Sequence, residues 1–188
     1  MRVQYSESHV ITNFCDAHDI GVNQKYAGIH PYSFHLEQTA KFARKYRDLL
    51  PSELLKLSEV VAYGHDILED THLTYNDVKT IVSSAFRKPE DTHNIVEAIF
   101  HCTEYRGRTR EERKPVEFYQ ELVTDELAVF TKLCDMMANV TYGIATNSNM
   151  PYKYKQEFTD KFIRYSYLEK FKPMYDYLDS LFQTLTKN

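Results

Sequence analysis

The chain has no tryptophan, only five glycines and six prolines among 188 residues, and three widely spaced cysteines. Each shortage excludes something. Scarce glycine and proline disfavour a turn-rich β-sandwich. Cys15, Cys102 and Cys134 are odd in number and form no Cys-x-x-Cys pair, which excludes a thiolate zinc knuckle and suits a reducing cytoplasm. No apolar run approaches the length that spans a bilayer. The first eight residues are too polar for a secretory signal. Basic residues do not dominate either. A net charge of -4 argues against a general nucleic-acid binder, which needs a broad basic surface.

What remains is an ordinary globular composition, and 188 residues suit one domain spanning residues 1–188. Apolar spacing is helical nearly throughout, as with Leu36, Ala40 and Ala43, and strand signals are almost absent. The pattern predicts helices over 33–50, 54–68, 90–102, 115–124, 127–144 and 153–185, the last breaking before Pro173. Thr74 and Asp77 read as the N-cap and capping-box acid of a further helix. Segments 104–114 and 145–151 read as surface loops, and the first carries five cationic side chains. The expected fold is an all-α single-domain helical bundle.

His65-Asp66-Ile67-Leu68-Glu69-Asp70-Thr71 places an imidazole and three carboxylates within six consecutive positions. If one helix continues through Asp70, His65, Asp66, Glu69 and Asp70 share an arc of about 140°. Such a face costs desolvation and repulsion unless a cation sits among its charges. Two further ligand candidates lie elsewhere. Asp135 interrupts an apolar helical run, with Asn139 one turn later on the same face, and His35 sits at the edge of the Leu36 stripe. Two imidazoles and two carboxylates form a mixed nitrogen and oxygen set suited to manganese, iron or zinc. His30 precedes a proline in a loop, His18 and His72 are isolated, and His93 and His101 lie eight apart on a helix with no acidic companion at ligand spacing.

The order His…His-Asp…Asp resembles the HD phosphohydrolase superfamily. More narrowly, residues 65–71 are similar to the HDxxEDT motif of RelA/SpoT-type alarmone hydrolases, Pro31 to His35 to their PYxxH segment, and Lys132 to Asn139 to their KLADxxxN segment. The resemblance implies a cytoplasmic, stand-alone small alarmone hydrolase that removes 3′-pyrophosphate from guanosine 3′,5′-bis(diphosphate)-type nucleotides. It implies that His35, His65, Asp66 and Asp135 hold one divalent ion, usually manganese, and that Glu69 and Asp70 handle the attacking water, one of them with a raised pKa. It places Asn139 on the ribose, Lys25 against the base and Lys155 on a phosphate. Gln24-Lys25 stands where the family has two basic residues. A glutamine amide both donates and accepts, so the expectation is weaker discrimination of guanine from adenine. The competing readings are a phosphohydrolase of another nucleotide (an adenosine alarmone, NADPH or a nucleoside monophosphate) and a non-catalytic HD binding module. The expected partner is a small nucleotide, with no nucleic acid and no membrane.

Overall fold

The computed structural model describes residues 6–185; residues 1–5, part of the polar opening segment, and 186–188 lie outside the described residues. Helix α1 (Glu7–Asp16) runs into a wide π turn, Ala17–Gly21. Two-residue strands β1 (Lys25–Tyr26) and β2 (His30–Pro31) pair antiparallel, with Tyr26 opposite His30. There follow α2 (Ser33–Tyr46), α3 (Ser52–Leu55), α4 (Ser58–Gly64), α5 (Ile67–Asp70), α6 (Tyr75–Ser83) and α7 (Pro89–Cys102). Next come α8 (Arg110–Arg113), α9 (Val116–Leu122), α10 (Glu126–Ala145), α11 (Met150–Glu157), α12 (Ile163–Tyr165) and α13 (Lys172–Gln183). The protein is all-α apart from the small hairpin, as the periodicity predicts. Among the described residues no helix is long and apolar enough to cross a membrane.

Helix α10 is the axis of the bundle. It is apolar around most of its circumference, so it is buried on nearly every side, against α2, α4, α7, α11 and α13. Asp125 starts it by accepting the Leu127 and Ala128 N–H groups at 2.9 and 3.1 Å. The Thr74–Asp77 capping box forms as read.

Two helices differ from expectation, and a third breaks on the side of Pro173 where the sequence places the break. The predicted helix over 33–50 ends at Tyr46 and tightens into a 3-10 turn, Arg47–Leu49, ahead of Pro51. The predicted helix over 153–185 breaks before Pro173, as expected, between Tyr165 and Glu169. The Ser166 hydroxyl donates to the Tyr119 carbonyl at 2.9 Å, and the Leu168 N–H donates to the Tyr175 hydroxyl at 3.0 Å. These tertiary bonds turn the chain, and Pro173 then lies in the first turn of α13, where its missing N–H costs nothing. The other difference, the splitting of 54–68 into α3, α4 and α5, shapes the candidate site.

Gly64 closes α4 where α1 and α7 come together. A Cβ there would lie 2.5 Å from Ile99 Cδ1 and 2.8 Å from Phe14 Cε2. Overpacking of this kind typically costs about 1–3 kcal/mol. Gly64→Ala is therefore expected to lower the urea midpoint by that equivalent at unchanged m value. A midpoint equal to wild type would show that Phe14 and Ile99 can move aside.

Candidate metal centre

Helix α4 does not continue through Asp70. His65 Nδ1 contacts the Ala62 carbonyl oxygen at 2.8 Å, the acceptor to which a continuing helix would send the Asp66 N–H. Asp66 leaves the helical region (φ -105°, ψ 3°), and α5 starts one residue later. The shared arc expected for His65, Asp66, Glu69 and Asp70 is thus replaced by two short elements around a turn. The turn brings His65 and Asp66 onto one point although they are adjacent in sequence.

His65 Nε2 lies 2.9 Å from Asp66 Oδ2 and 3.6 Å from Asp135 Oδ1. From α2, His35 Nε2 reaches Asp135 Oδ1 at 3.1 Å and Asp66 Oδ2 at 3.8 Å. The ligand atoms of His35, His65 and Asp66 all lie within 4.8 Å of one another, and Asp135 joins them through both imidazoles. His30 is not part of this group; it stacks on Phe34 at 4.4 Å.

The donor set fits a first-row divalent ion. Ligands about 2.1 Å from one ion stand about 3.0–3.4 Å apart in octahedral or tetrahedral geometry. The four contacts span 2.9–3.8 Å. His65 Nε2 is buried and makes no hydrogen bond, while its other nitrogen is tied to a carbonyl, the usual arrangement of a metal-binding imidazole. The electrostatics also call for a cation here. Burial works against a charged His65, but Asp66 and Asp135 more than offset it and push its pKa up to about 10. Burial likewise opposes ionised Asp66 and Asp135; the imidazoles and Lys132 override it and hold both well below the usual carboxylate range.

A second layer of side chains orients these groups. The Tyr32 hydroxyl donates to Asp66 Oδ2 at 2.6 Å. Asn139 Nδ2 donates to Asp135 Oδ1 at 2.5 Å, and Asn139 Oδ1 accepts from the Tyr26 hydroxyl at 3.0 Å. The Tyr26 ring stacks on His35 at 4.9 Å. Lys132, only 6% exposed, sets its ammonium 3.7 Å from Asp135 Oδ2. Tyr26, Tyr32 and Lys132 carried no role in the sequence reading. Lys132 could have been found, since a lysine inside an apolar run three residues before a buried acid points to an internal pair.

Glu69 and Asp70, both on α5, stand in different surroundings. Glu69 is on the exposed rim, where its Oε2 accepts the Glu104 N–H at 3.4 Å. Desolvation, then repulsion from Glu104 and Asp66, push its pKa up to about 7. Asp70 is tied down: Gln24 Nε2 donates to its Oδ2 at 2.8 Å. The other end of the same amide, Oε1, lies 2.6 Å from His18 Nδ1. Burial lowers the His18 pKa, so its neutral ring donates to that oxygen, and the ring stacks on Tyr32 at 4.7 Å.

Each end of the Gln24 amide therefore has one protein partner, so the base-reading role expected for Gln24 would have to use its second N–H or second lone pair. Gln24→Leu, of similar size and without the amide, is expected to release Asp70 and lower turnover about tenfold, with adenosine and guanosine nucleotides affected alike. A change confined to the ratio of the two efficiencies would instead return Gln24 to the base. Lys25 is exposed on β1 beside the site. Lys155 is not brought to it; its ammonium donates to the Phe182 carbonyl at 3.4 Å, near the end of α13. The basic segment 104–114 contains a capped turn, α8, and most of its charge is paired: Arg113 and Lys114 with Glu104, Arg110 and Lys114 with Glu157.

No family model matches the chain, and no curated protein matches it.

Proposed function

We propose that the protein is a metal-dependent phosphohydrolase of the HD type that removes 3′-pyrophosphate from guanosine 3′,5′-bis(diphosphate)-type alarmones. The observation that carries this reading is the meeting of His35, His65, Asp66 and Asp135 at one buried point, with Glu69 and Asp70 at its edge. Those four side chains would hold one divalent ion, manganese by the family resemblance. When bound, the ion supplies an activated water and offsets charge on the phosphate.

The chain's own residues carry the remaining work. Glu69, with its pKa about 7, is ionised in a large fraction of molecules at neutral pH and can take a proton from water at its carboxylate. Asp70, fixed by Gln24, orients rather than transfers. Lys132 offsets part of the carboxylate charge behind Asp135. Lys25, exposed on β1 between Gln24 and Tyr26, would meet the nucleotide base. Asn139 holds Asp135 and Tyr26 with its amide, so its ribose contact would be an addition to a positioning role. The three cysteines are free, as suits a cytoplasmic protein.

A second reading has one observation in its favour. With the Gln24 amide engaged on both sides, selectivity for guanine has one cation, Lys25, at the expected place. An adenosine alarmone, NADPH or a nucleoside monophosphate then competes as substrate. The deciding experiment is a hydrolysis screen with manganese over these nucleotides, with wild type and Asp135→Ala side by side. The alarmone reading expects pyrophosphate released from the guanosine compound by wild type alone. Turnover of another nucleotide only would keep the enzyme and change its substrate; no turnover of any would leave a binding module.

A further inference from the structure

The sequence leaves His18 isolated, and the structure places it behind both halves of the candidate centre. It lies in the π turn Ala17–Gly21, with its side chain fully buried. Such turns are rare and recur at functional sites. Two hydrogen bonds hold this one. The Gln24 N–H donates to the His18 carbonyl at 2.9 Å, and the Asp19 carboxylate accepts the Ser33 N–H at 3.1 Å, at the start of α2.

Two arms leave the His18 ring. The first is a hydrogen-bonded relay whose direction is fixed. The Asp70 carboxylate only accepts, so the nitrogen end of the Gln24 amide faces it, at 2.8 Å. The oxygen end then faces His18 at 2.6 Å, and Nδ1 carries the ring proton. Nε2 is left as a lone pair, buried and without a hydrogen-bond partner. A proton added there would bring a buried charge and find no acceptor, so the ring stays neutral. The second arm is a stack. The ring lies 4.7 Å from that of Tyr32, with planes 23° from parallel, and the Tyr32 hydroxyl donates to Asp66 Oδ2 at 2.6 Å. The stack fixes the plane of the phenol, and with it the approach of the hydroxyl to the carboxylate.

We propose that His18 is a positioning residue for the whole centre: its Nδ1–H sets Asp70 through Gln24, and its ring face sets Asp66 through Tyr32. This rests on the reading of Asp66 as a metal ligand and of Asp70 as the acid that orients water. The arms can be separated, because asparagine and phenylalanine each keep half of a histidine. Asparagine offers an N–H near the place of Nδ1–H and has no ring; phenylalanine keeps the ring and has no donor.

The test reads manganese affinity by equilibrium dialysis and, in metal-free protein, hydrogen exchange of the Gln24 side-chain amide by NMR. The amide signal is identified by its loss in Gln24→Leu, and melting curves confirm that each variant is folded. His18→Phe should keep manganese affinity within about twofold of wild type and speed the amide exchange about tenfold, as loss of one hydrogen bond allows. His18→Asn should do the reverse, with exchange nearly unchanged and manganese affinity down about tenfold, the scale of losing support behind a ligand. Tyr32→Phe keeps the stack and drops only the hydroxyl, so it checks the second arm without touching His18. It should lower manganese affinity about tenfold as well and leave the Gln24 protons protected. Equal losses in both readouts by both His18 variants would make His18 a packing residue and overturn the proposal. So would no loss in either, or unchanged affinity in Tyr32→Phe. Neither readout needs a nucleotide to be hydrolysed, so failure of the alarmone reading leaves the test intact. Wild type that binds no manganese would end the metal reading and overturn the Tyr32 arm with it, while the exchange pattern still decides the Gln24 arm.

Discussion

Asp135→Ala is expected to abolish ion binding and hydrolysis together, with turnover down at least a thousandfold. Asp135 touches both imidazoles, at 3.1 and 3.6 Å, so its loss removes one donor and the alignment of two others. It also leaves Lys132 buried without its nearest carboxylate, a change that typically costs about 3–5 kcal/mol. The variant is therefore expected to melt earlier as well, which by itself would obscure the reading. Asp135→Asn keeps the volume and the Asn139 neighbour but also leaves Lys132 unpaired, so the two effects are separated by temperature and not by the choice of variant. Manganese bound after equilibrium dialysis, measured in both variants at a temperature where both are folded, is the check. An alanine variant that retains one ion per chain would remove Asp135 from the ligand set.

Glu69→Gln is expected to keep the ion and lose about a hundredfold in turnover, the usual effect of deleting a proton-transfer group. The side chain stands at the rim, and no ligand atom depends on it. The pH dependence follows from the direction of its shift. Desolvation and neighbouring acids favour the protonated form, so the carboxylate becomes available only as pH rises through about 7. As a base, Glu69 should make the catalytic efficiency of wild type climb through that range and level off above it. The glutamine variant should lack that limb. A limb of opposite slope would make Glu69 the acid that protonates the leaving group. Equal loss of ion and activity would make it a ligand. Because the side chain reaches solvent, added salt should move the limb toward lower pH by screening Glu104.

The helical class was legible because apolar spacing is a local signal, and most helices of the bundle sit near their predicted places. The convergence of the four metal-binding candidates was legible for a chemical reason: His-Asp in tandem with surplus acids, a lone acid inside the apolar stretch of α10 and a histidine at the edge of the α2 stripe together suggest a place for a cation. What local pattern could not reveal are features that depend on distant partners. The break after Gly64 comes from a side chain taking a backbone acceptor. The end of the helix before Ser166 depends on the Tyr119 carbonyl, 47 positions away. The task of Gln24 depends on Asp70, 46 positions away. Lys155 was placed by motif distance alone, and the turn of the chain between α11 and α13 carries it elsewhere.

The buried Lys132 sets a sequence of events. Around the candidate centre its ammonium and the imidazolium that the acids favour at His65 only balance Asp66 and Asp135. A polyphosphate approaching that arrangement alone meets no excess positive charge. On the proposed function, a divalent ion would tip the balance at the innermost point, where low dielectric makes each charge count most. Loading would then be ordered, ion before nucleotide, and the apparent affinity for a phosphorylated substrate would depend on how completely the protein had been charged with metal beforehand.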